Sequence, residues 1–295
     1  MLIRLARHSG YCFGVRRAIQ LALDAAENQG SVYTLGELIH NPQVVRELEA
    51  KGVSVINDAA GTKQGTVVIR SHGVPREELA ILEQGRNDII NATCPYVKRT
   101  HELINKANEE GYPVLILGDP KHPEVTGLRS YGDERTLIYE PGSELPEIRG
   151  NRLCVISQTT QKIENLRELV SKLLDIVMEL KVYNTICLAT SQRQRSSESL
   201  AQDSDVMIVI GGRNSSNTKM LASLCSKYCP TVHIETEAEL DPEMFSGVAR
   251  VGLAAGASTP ESRILAVYNK ILKINGDAVP VTEIASIPLF KEESC

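Results

Sequence analysis

Three of the seven cysteines stand in stretches of similar design. Cys12, Cys94 and Cys187 occur in "GYCFGVRRAI", "ATCPYVKRTHEL" and "TICLATSQRQRS", where a basic helical pattern follows each cysteine. Backbone N–H groups at a helix N-terminus favour negative charge, so a thiol there readily forms a thiolate, which can be a nucleophile, a redox centre or a metal ligand. The three cysteines are 82 and 93 residues apart. This repetition predicts that they act together.

The other four cysteines lack this setting. Cys154 lies within the strand-like run "LCVIS", Cys225 and Cys229 are spaced for one helix face, and Cys295 is the last residue. The chain has no C-x-x-C pair, so the usual zinc-ribbon and ferredoxin spacings are absent. Because most cysteines in α/β proteins are small buried hydrophobic residues, we interpret these four as structural or incidental.

A second repetition involves three histidines. His40, His72 and His122 occur in "GELIHNPQ", "IRSHGVP" and "GDPKHPEV", each after a strand-like run and one to three residues before a proline. Imidazole can bind a metal, move protons or donate hydrogen bonds to phosphate. Glu124 follows His122 by two residues and could supply a proton beside it. The pattern predicts a shared site and leaves these three chemistries open.

Small polar residues form a third group, at predicted helix starts. They lie in "SQTTQ", "GGRNSSNTKM" and "AAGASTPES", and the candidates are Thr159, Ser215, Ser216, Asn217 and Ser258. Backbone N–H groups and hydroxyls at a helix start can bind an anion, although ordinary N-capping uses the same residue types. Neither G-x-G-x-x-G nor G-x-x-x-x-G-K-[ST] occurs. A bound phosphate would therefore belong to a substrate.

The elements that must position these residues alternate along the chain. Helical stretches that open with proline and close at glycine separate short β-branched runs, which predicts an α/β fold with mainly parallel sheets. In such sheets, functional groups gather at the carboxyl ends of the strands. The predicted strands are "SVYTL", "TVVIR", "DIINA", "PVLIL", "TLIYE", "LCVIS", "VMIVI", "TVHIE" and "VGLAA". The repetition predicts three similar domains, 1–93, 94–186 and 187–280, and a tail, 281–295.

Composition narrows the functional classes. The 295 residues are 42% hydrophobic and 23% charged, as in ordinary globular proteins, and the net charge of -5 argues against a nucleic-acid binder. No apolar run reaches the length of a membrane span or a signal peptide. An odd number of cysteines in a chain of this size favours reduced thiols over disulfides. We therefore expect a cytoplasmic protein without a membrane or nucleic-acid partner.

Taken in order, these motifs resemble those of the 4-hydroxy-3-methylbut-2-enyl diphosphate reductases, the last enzymes of the non-mevalonate isoprenoid pathway. The resemblance runs from "CFGVRRAI" through "LIHNPQVV", "RSHGVP", "ATCPYV", "HPEVTG", "SQTTQ", "TICLATSQRQ" and "RNSSNT" to "AGASTP", about nine-tenths of the chain. It implies three α/β domains in a trefoil around a central 4Fe-4S cluster with Cys12, Cys94 and Cys187 as ligands. Three ligands leave one iron open to act as a Lewis acid.

The resemblance also implies roles for the remaining candidates. Glu124 would relay protons, directly or through Thr159, while isopentenyl and dimethylallyl diphosphate would form with electrons from a ferredoxin or flavodoxin. The substrate pocket would be lined by His40, His72, His122, Thr159, Ser215, Ser216, Asn217 and Ser258. Near Cys12 the chain departs from some relatives, which have alanine where Phe13 stands.

Two rival interpretations remain at this point. A metal-dependent hydrolase of a phosphorylated small molecule could use the three histidines and Glu124 as zinc or iron ligands, but this leaves the cysteine triplet unexplained. A non-enzymatic iron-sulfur redox sensor explains the cysteines but not the histidines and hydroxyl groups.

Overall fold

The computed structural model describes residues 1–28, 30–60, 64–85 and 87–276, and within them the chain is an α/β protein with three four-stranded parallel sheets. The predicted fold class is confirmed. The strands are β1 (Leu2–Leu5), β2 (Val32–Leu35), β3 (Val53–Ile56), β4 (Thr66–Ile69), β5 (Asp88–Asn91), β6 (Val114–Leu117), β7 (Leu137–Tyr139), β8 (Arg152–Ser157), β9 (Glu179–Tyr183), β10 (Val206–Ile210), β11 (Thr231–Ile234) and β12 (Arg250–Ala255).

Helices connect most of these strands. They are α1 (Phe13–Asn28), α2 (Pro42–Ala50), α3 (Arg76–Gln84), α4 (Pro95–Glu109), α5 (Pro123–Ser130), α6 (Ile163–Leu174), α7 (Leu188–Ala201), α8 (Ser216–Cys225) and α9 (Glu261–Ile274). Prolines occupy the first position of α2, α4 and α5, where the absent N–H group is not needed. Among these described helices, none combines the length and apolar character required to cross a membrane.

The sheets are distributed over two compact units. Among the described residues, the terminal unit contains 1–12 and 189–276, and its sheet has the order β1-β12-β10-β11. The middle unit, residues 13–188, contains a sheet of order β3-β2-β4-β5 and another of order β7-β6-β8-β9. The central strands are buried on both faces, as covered parallel sheets require: Val114, Leu115, Ile116 and Leu117 are all 0% exposed.

The nine predicted strands are confirmed, and three strands were missed. The missed strands β1, β3 and β9 all lie at sheet edges. Each is only partly buried and mixes polar with apolar residues, as in "ELKVY" of β9. Edge strands bury less surface and do not need a continuous apolar run, so the sequence indicates them less regularly: β5, β7 and β11 were predicted, whereas β1, β3 and β9 were not.

The N-terminal strand belongs to the terminal unit. Leu2 pairs with Arg250, so residues 1–93, predicted as one domain, contribute strands to two different sheets. The predicted boundaries at 93/94 and 186/187 fall in the connections β5–α4 and β9–α7, and they stay predictions. The predicted tail 281–295, with Cys295, lies outside the described residues.

Candidate functional site

Strand register brings the candidate loops together in pairs. Leu35 lies beside Ile69 at the ends of β2 and β4, and Leu117 beside Ser157 at the ends of β6 and β8. The loops that carry the candidate side chains follow these strand ends. The carboxyl edge of each sheet in the middle unit therefore presents two candidate loops side by side, as expected for open α/β sheets.

The three histidines form one cluster in the middle unit. The ring centroids of His40 and His72 are 4.3 Å apart, and His122 lies 5.2 Å from His40 and 5.5 Å from His72. One ring nitrogen from each lies within 4.8 Å of the others. The proximity predicted for the three imidazoles is thus present, and their chemistry depends on their protonation.

Hydrogen bonding defines the tautomer of His122. His122 is the N-cap of α5, and its Nδ1 accepts a hydrogen bond of 3.1 Å from the backbone N–H of Glu124. A nitrogen that accepts carries no proton, so in the neutral ring the proton lies on Nε2. Nε2 is then a hydrogen-bond donor, suited to a phosphate oxygen and unsuited to a metal ion.

The imidazole of His72 has a buried nitrogen that lacks a hydrogen-bond partner among the described residues. Its Nδ1 atom makes no hydrogen bond to any described residue. Burial lowers the pKa of His72 well below 6.5, and the neighbouring imidazoles and Arg70 lower it further. A buried polar atom without a partner is unfavourable. A ligand with hydrogen-bonding oxygens would satisfy it, and a bound anion would raise the pKa.

Glu124 and Thr159 form a second polar pair beside His122. Glu124 is 2% exposed and accepts two hydrogen bonds from Thr159, 2.6 Å from its backbone N–H and 2.8 Å from its hydroxyl. Burial raises the pKa of Glu124 to about 7, although both hydrogen bonds favour the carboxylate. A carboxyl that titrates near neutral pH can act as a general acid.

The terminal unit carries the remaining polar candidates, Ser215, Ser216, Asn217 and Ser258. Ser215 caps α8, and its hydroxyl accepts from the N–H of Thr218. Both side-chain polar atoms of Asn217 are buried and make no hydrogen bond within the described chain. Ser258 is buried after β12, the strand that pairs with β10. The unsatisfied amide of Asn217 fits an anion-binding role at this helix start.

The three repeated cysteines occupy equivalent positions. Each follows an edge strand, β1, β5 or β9, and directly precedes a helix. Each backbone N–H donates to a carbonyl in the loop after the adjacent strand: Cys12 to Ala257 at 3.1 Å, Cys94 to Ser71 at 3.0 Å and Cys187 to Thr159 at 3.0 Å. Those loops carry Ser258, His72 and Thr159, so each cysteine is anchored beside a predicted substrate residue.

The thiols differ in their capacity to ligate a metal. Cys12, Cys94 and Cys187 are only partly buried. In contrast, burial raises the pKa of Cys154 and of Cys225 to about 12, which opposes thiolate formation. The three partly buried thiols at helix starts therefore fit a cluster-binding role.

The prediction that Cys225 and Cys229 share a helix face is wrong. Helix α8 ends at Cys225, and Cys229 follows in the turn before β11. Burial raises the pKa of Cys229 as well. Cys154 lies within β8 as predicted.

A glycine packs directly against one of the repeated thiols. A Cβ atom at Gly14, in the first turn of α1, would lie 2.6 Å from Sγ of Cys94 and 3.1 Å from its Cβ. Real Cβ atoms do not approach so closely, so a larger residue must displace Cys94. Gly14 therefore leaves the space in which the Cys94 side chain is positioned.

Alanine at Gly14 is expected to reduce iron binding without unfolding the protein. Alanine favours a helix relative to glycine by up to about 1 kcal/mol, whereas overpacking against Cys94 costs roughly 1–3 kcal/mol. We expect bound iron after anaerobic purification to fall by about half or more. Gly127→Ala in α5 is the matched control, because its Cβ would meet its nearest neighbour at 3.7 Å. Equal iron content in both variants would contradict the positioning role.

Two residues that support this region were not predicted. Arg70 is the last residue of "TVVIR". Its Nε donates a hydrogen bond of 3.1 Å to the carbonyl of Gly73, and its guanidinium lies near His72. Gln158 accepts from the N–H of Asp119 at 3.1 Å and so joins the loops after β6 and β8. Position at the end of a buried strand was the available signal for both.

Comparison with known proteins identifies the family. The family model described as LytB protein matches residues 3–272. A 4-hydroxy-3-methylbut-2-enyl diphosphate reductase of Pelobacter propionicus is 46% identical over 277 residues, which cover 93% of this chain and 99% of that protein. The corresponding reductase of Geobacter sulfurreducens is 46% identical over 275 residues, covering 92% and 97%.

Solved structures give the same result. The structure of an (E)-4-hydroxy-3-methyl-but-2-enyl diphosphate reductase, the terminal enzyme of the non-mevalonate pathway, is 44% identical with a TM-score of 0.69, covering 92% of this chain and 100% of that one. The Plasmodium falciparum E-1-hydroxy-2-methyl-but-2-enyl-4-diphosphate reductase is 26% identical with a TM-score of 0.84, covering 92% and 88%. The resemblance predicted from the motifs is confirmed, and the chain belongs to the LytB protein family.

Proposed function

We propose that this chain catalyses the reductive dehydroxylation of 4-hydroxy-3-methylbut-2-enyl diphosphate to isopentenyl and dimethylallyl diphosphate. The observation that carries the proposal is the threefold anchoring of Cys12, Cys94 and Cys187, each hydrogen-bonded to a loop with a predicted substrate residue. Relatives that are 46% identical over nine-tenths of the chain bear the name of this reductase.

The cofactor of the proposed reaction is a 4Fe-4S cluster held by Cys12, Cys94 and Cys187. When bound, the cluster would supply electrons and one iron without a protein ligand, which can act as a Lewis acid. The partly buried state of these thiols, unlike the fully buried Cys154 and Cys225, supports this assignment.

The histidine cluster would hold the diphosphate end of the substrate. Nε2 of His122 is a donor, and the orphaned Nδ1 of His72 needs a partner. Hydrogen bonds to charged phosphate oxygens are stronger than those between neutral groups. Ser215, Ser216, Asn217 and Ser258 are proposed to bind the same diphosphate, with support from the unsatisfied amide of Asn217.

Glu124 would deliver a proton to the leaving hydroxyl, directly or through Thr159. Two electrons and two protons convert the hydroxyl into water, break the carbon-oxygen bond and form one carbon-hydrogen bond on the allylic fragment. With a pKa of about 7, a fraction of Glu124 is protonated at neutral pH. After proton loss, the two hydrogen bonds from Thr159 stabilise the carboxylate.

The electrons would come from a ferredoxin or flavodoxin, because the sequence has no recognisable nicotinamide or flavin motif. We place the reaction in the cytoplasm, where thiols stay reduced and free to ligate iron.

One observation weighs against a hydrolase that binds its metal through the three histidines. Nδ1 of His122 already accepts a hydrogen bond, and the proton on Nε2 blocks that nitrogen as a metal ligand. A diphosphate oxygen, in contrast, can accept a hydrogen bond from Nε2 without any change in the ring.

Anaerobic purification followed by a turnover assay tests the proposed function. We expect a brown protein with about four irons and four sulfides per chain, which converts the substrate with an artificial reductant. A protein that contains the cluster but shows no turnover would favour the iron-sulfur redox sensor. A colourless protein that contains zinc and hydrolyses phosphate esters would favour the hydrolase.

Asparagine at His72 or His122 is expected to weaken substrate binding. Each replacement removes one charge-assisted hydrogen bond, worth about 1.5–3 kcal/mol, or roughly ten- to a hundredfold in affinity. Titration of loaded protein with substrate and with inorganic diphosphate measures the effect. His8→Asn is the control, because His8 is exposed and its φ of 62° is one that asparagine also adopts. If both ligands bind the His72 and His122 variants with wild-type affinity, these histidines have another role.

A further inference from the structure

Two exposed aromatic residues lie beside the proposed cluster ligands. Phe13, which follows Cys12, is 56% exposed, and Tyr96, two residues after Cys94, is 39% exposed. Aromatic side chains are enriched in protein interfaces.

The two aromatic residues belong to adjoining helix starts within the middle unit. Gly14 lies against the Cys94 side chain. Arg17, in the next turn of α1, donates to the carbonyls of Thr93 at 3.5 Å and Asn91 at 3.4 Å. The first turns of α1 and α4 are therefore neighbours, and we call their exposed surface the α1–α4 face, formed by Phe13, Arg16, Tyr96 and Arg99.

The α1–α4 face is positively charged in a negatively charged chain. Neither helix has an acidic residue in its first turn. Arg16 and Arg99 are exposed, and Lys98 is half-buried. Arg99 pairs with Glu102 at 2.8 Å, but the face itself contains two arginines and no acidic residue. The chain as a whole carries a net charge of -5, so this patch is opposite in sign to the whole protein.

The positive charge of the α1–α4 face favours some binding partners over others. A second copy of the chain placed face to face would bring like charges together, which opposes association. An acidic protein would be attracted to the basic residues, and its apolar centre could bury Phe13 and Tyr96.

We propose that the α1–α4 face is the docking surface for an acidic electron-transfer protein that reduces the cofactor held by Cys12, Cys94 and Cys187. The inference rests on the proposed function, which requires two external electrons for each substrate. A one-electron carrier would dock twice per turnover, be oxidised each time, and leave as the oxidised protein. Docking here brings the carrier to residues within two positions of Cys12 and Cys94.

Two variants of the loaded enzyme test the proposal, with a small acidic ferredoxin as the probe. Phe13→Ser removes the most exposed apolar side chain of the face, and Arg16→Glu with Arg99→Glu reverses two charges. The controls are Met178→Ser and Arg149→Glu, in exposed segments away from the helix starts; Met178 is 88% exposed. The readouts are the ferredoxin Kd, the KM for reduced ferredoxin, bound iron, and turnover with reduced methyl viologen.

Each test variant is expected to raise the ferredoxin Kd and KM by on the order of tenfold, with unchanged iron content and viologen-driven turnover. The effect of the charge reversal should shrink at high salt, because salt screens exposed charges. Unchanged Kd and KM in both test variants would overturn the proposal. If Phe13→Ser loses iron, the ferredoxin Kd and KM of the charge-reversed variant decide the test. Failure of the proposed function would be distinguishable from failure of the docking proposal, because the wild-type enzyme would then show no turnover with reduced methyl viologen.

Discussion

Glutamine at Glu124 is expected to slow turnover at least a hundredfold while the cluster and substrate binding stay near normal. General acid assistance is typically worth 10²–10⁴ in rate, and an amide keeps the shape of the carboxyl but cannot deliver its proton. The carboxyl is buried, titrates near neutral pH and lies against Thr159. Anaerobic assays with an artificial reductant, beside iron analysis and substrate titration, measure each property separately.

A matched control separates proton delivery from a structural role at the helix start. Glu124 lies in the first turn of α5, where an acidic residue also stabilises the helix by a few tenths of a kcal/mol. Glu164 is an exposed acid in the first turn of α6. We expect Glu164→Gln to retain full turnover. Near-normal turnover of Glu124→Gln with an intact cluster would remove Glu124 from the mechanism.

The pH profile provides a further readout of the same carboxyl. Burial raises the pKa of Glu124 to about 7, so the protonated form required of a general acid is lost as pH rises above that value. We expect kcat/KM of the wild type to fall about tenfold per pH unit on the alkaline side. The Glu124→Gln variant should lack this decrease, because its amide does not titrate there.

Serine at Cys12, Cys94 or Cys187 is expected to deplete bound iron and abolish turnover. Each replacement removes one thiolate from a cluster that would have only three protein ligands. Serine at Cys154, Cys225, Cys229 or Cys295 should leave the iron in place. Cys229 is the best control, because it is partly buried like the three proposed ligands.

Iron and sulfide analysis with an anaerobic absorption spectrum decides the outcome. A triple variant of Cys12, Cys94 and Cys187 that still holds the cluster would contradict the assignment. Equal loss of iron from Cys229→Ser would show that serine replacement destabilises the protein generally.

The sequence by itself predicted the α/β class, the central strands, the family and the candidate residues. Central parallel strands are buried on both faces, so continuous apolar runs such as "VLIL" and "VMIVI" indicate central strands directly. The loops that follow these strands carry the candidate side chains, so the general rule about carboxyl ends of strands was sufficient to select them. Edge strands were selected less regularly, since partial burial permits polar residues: β5, β7 and β11 were predicted, and β1, β3 and β9 were not.

Only the tertiary structure decided which of these residues meet and in what protonation state. Leu2 pairs with Arg250 across most of the chain, and no local pattern predicts a partner so distant. The tautomer of His122, the raised pKa of Glu124 and the unsatisfied amide of Asn217 arise from hydrogen bonds and burial. These depend on neighbours that the fold brings from other segments. Residue types are local properties, whereas desolvation and hydrogen-bond partners are set by packing.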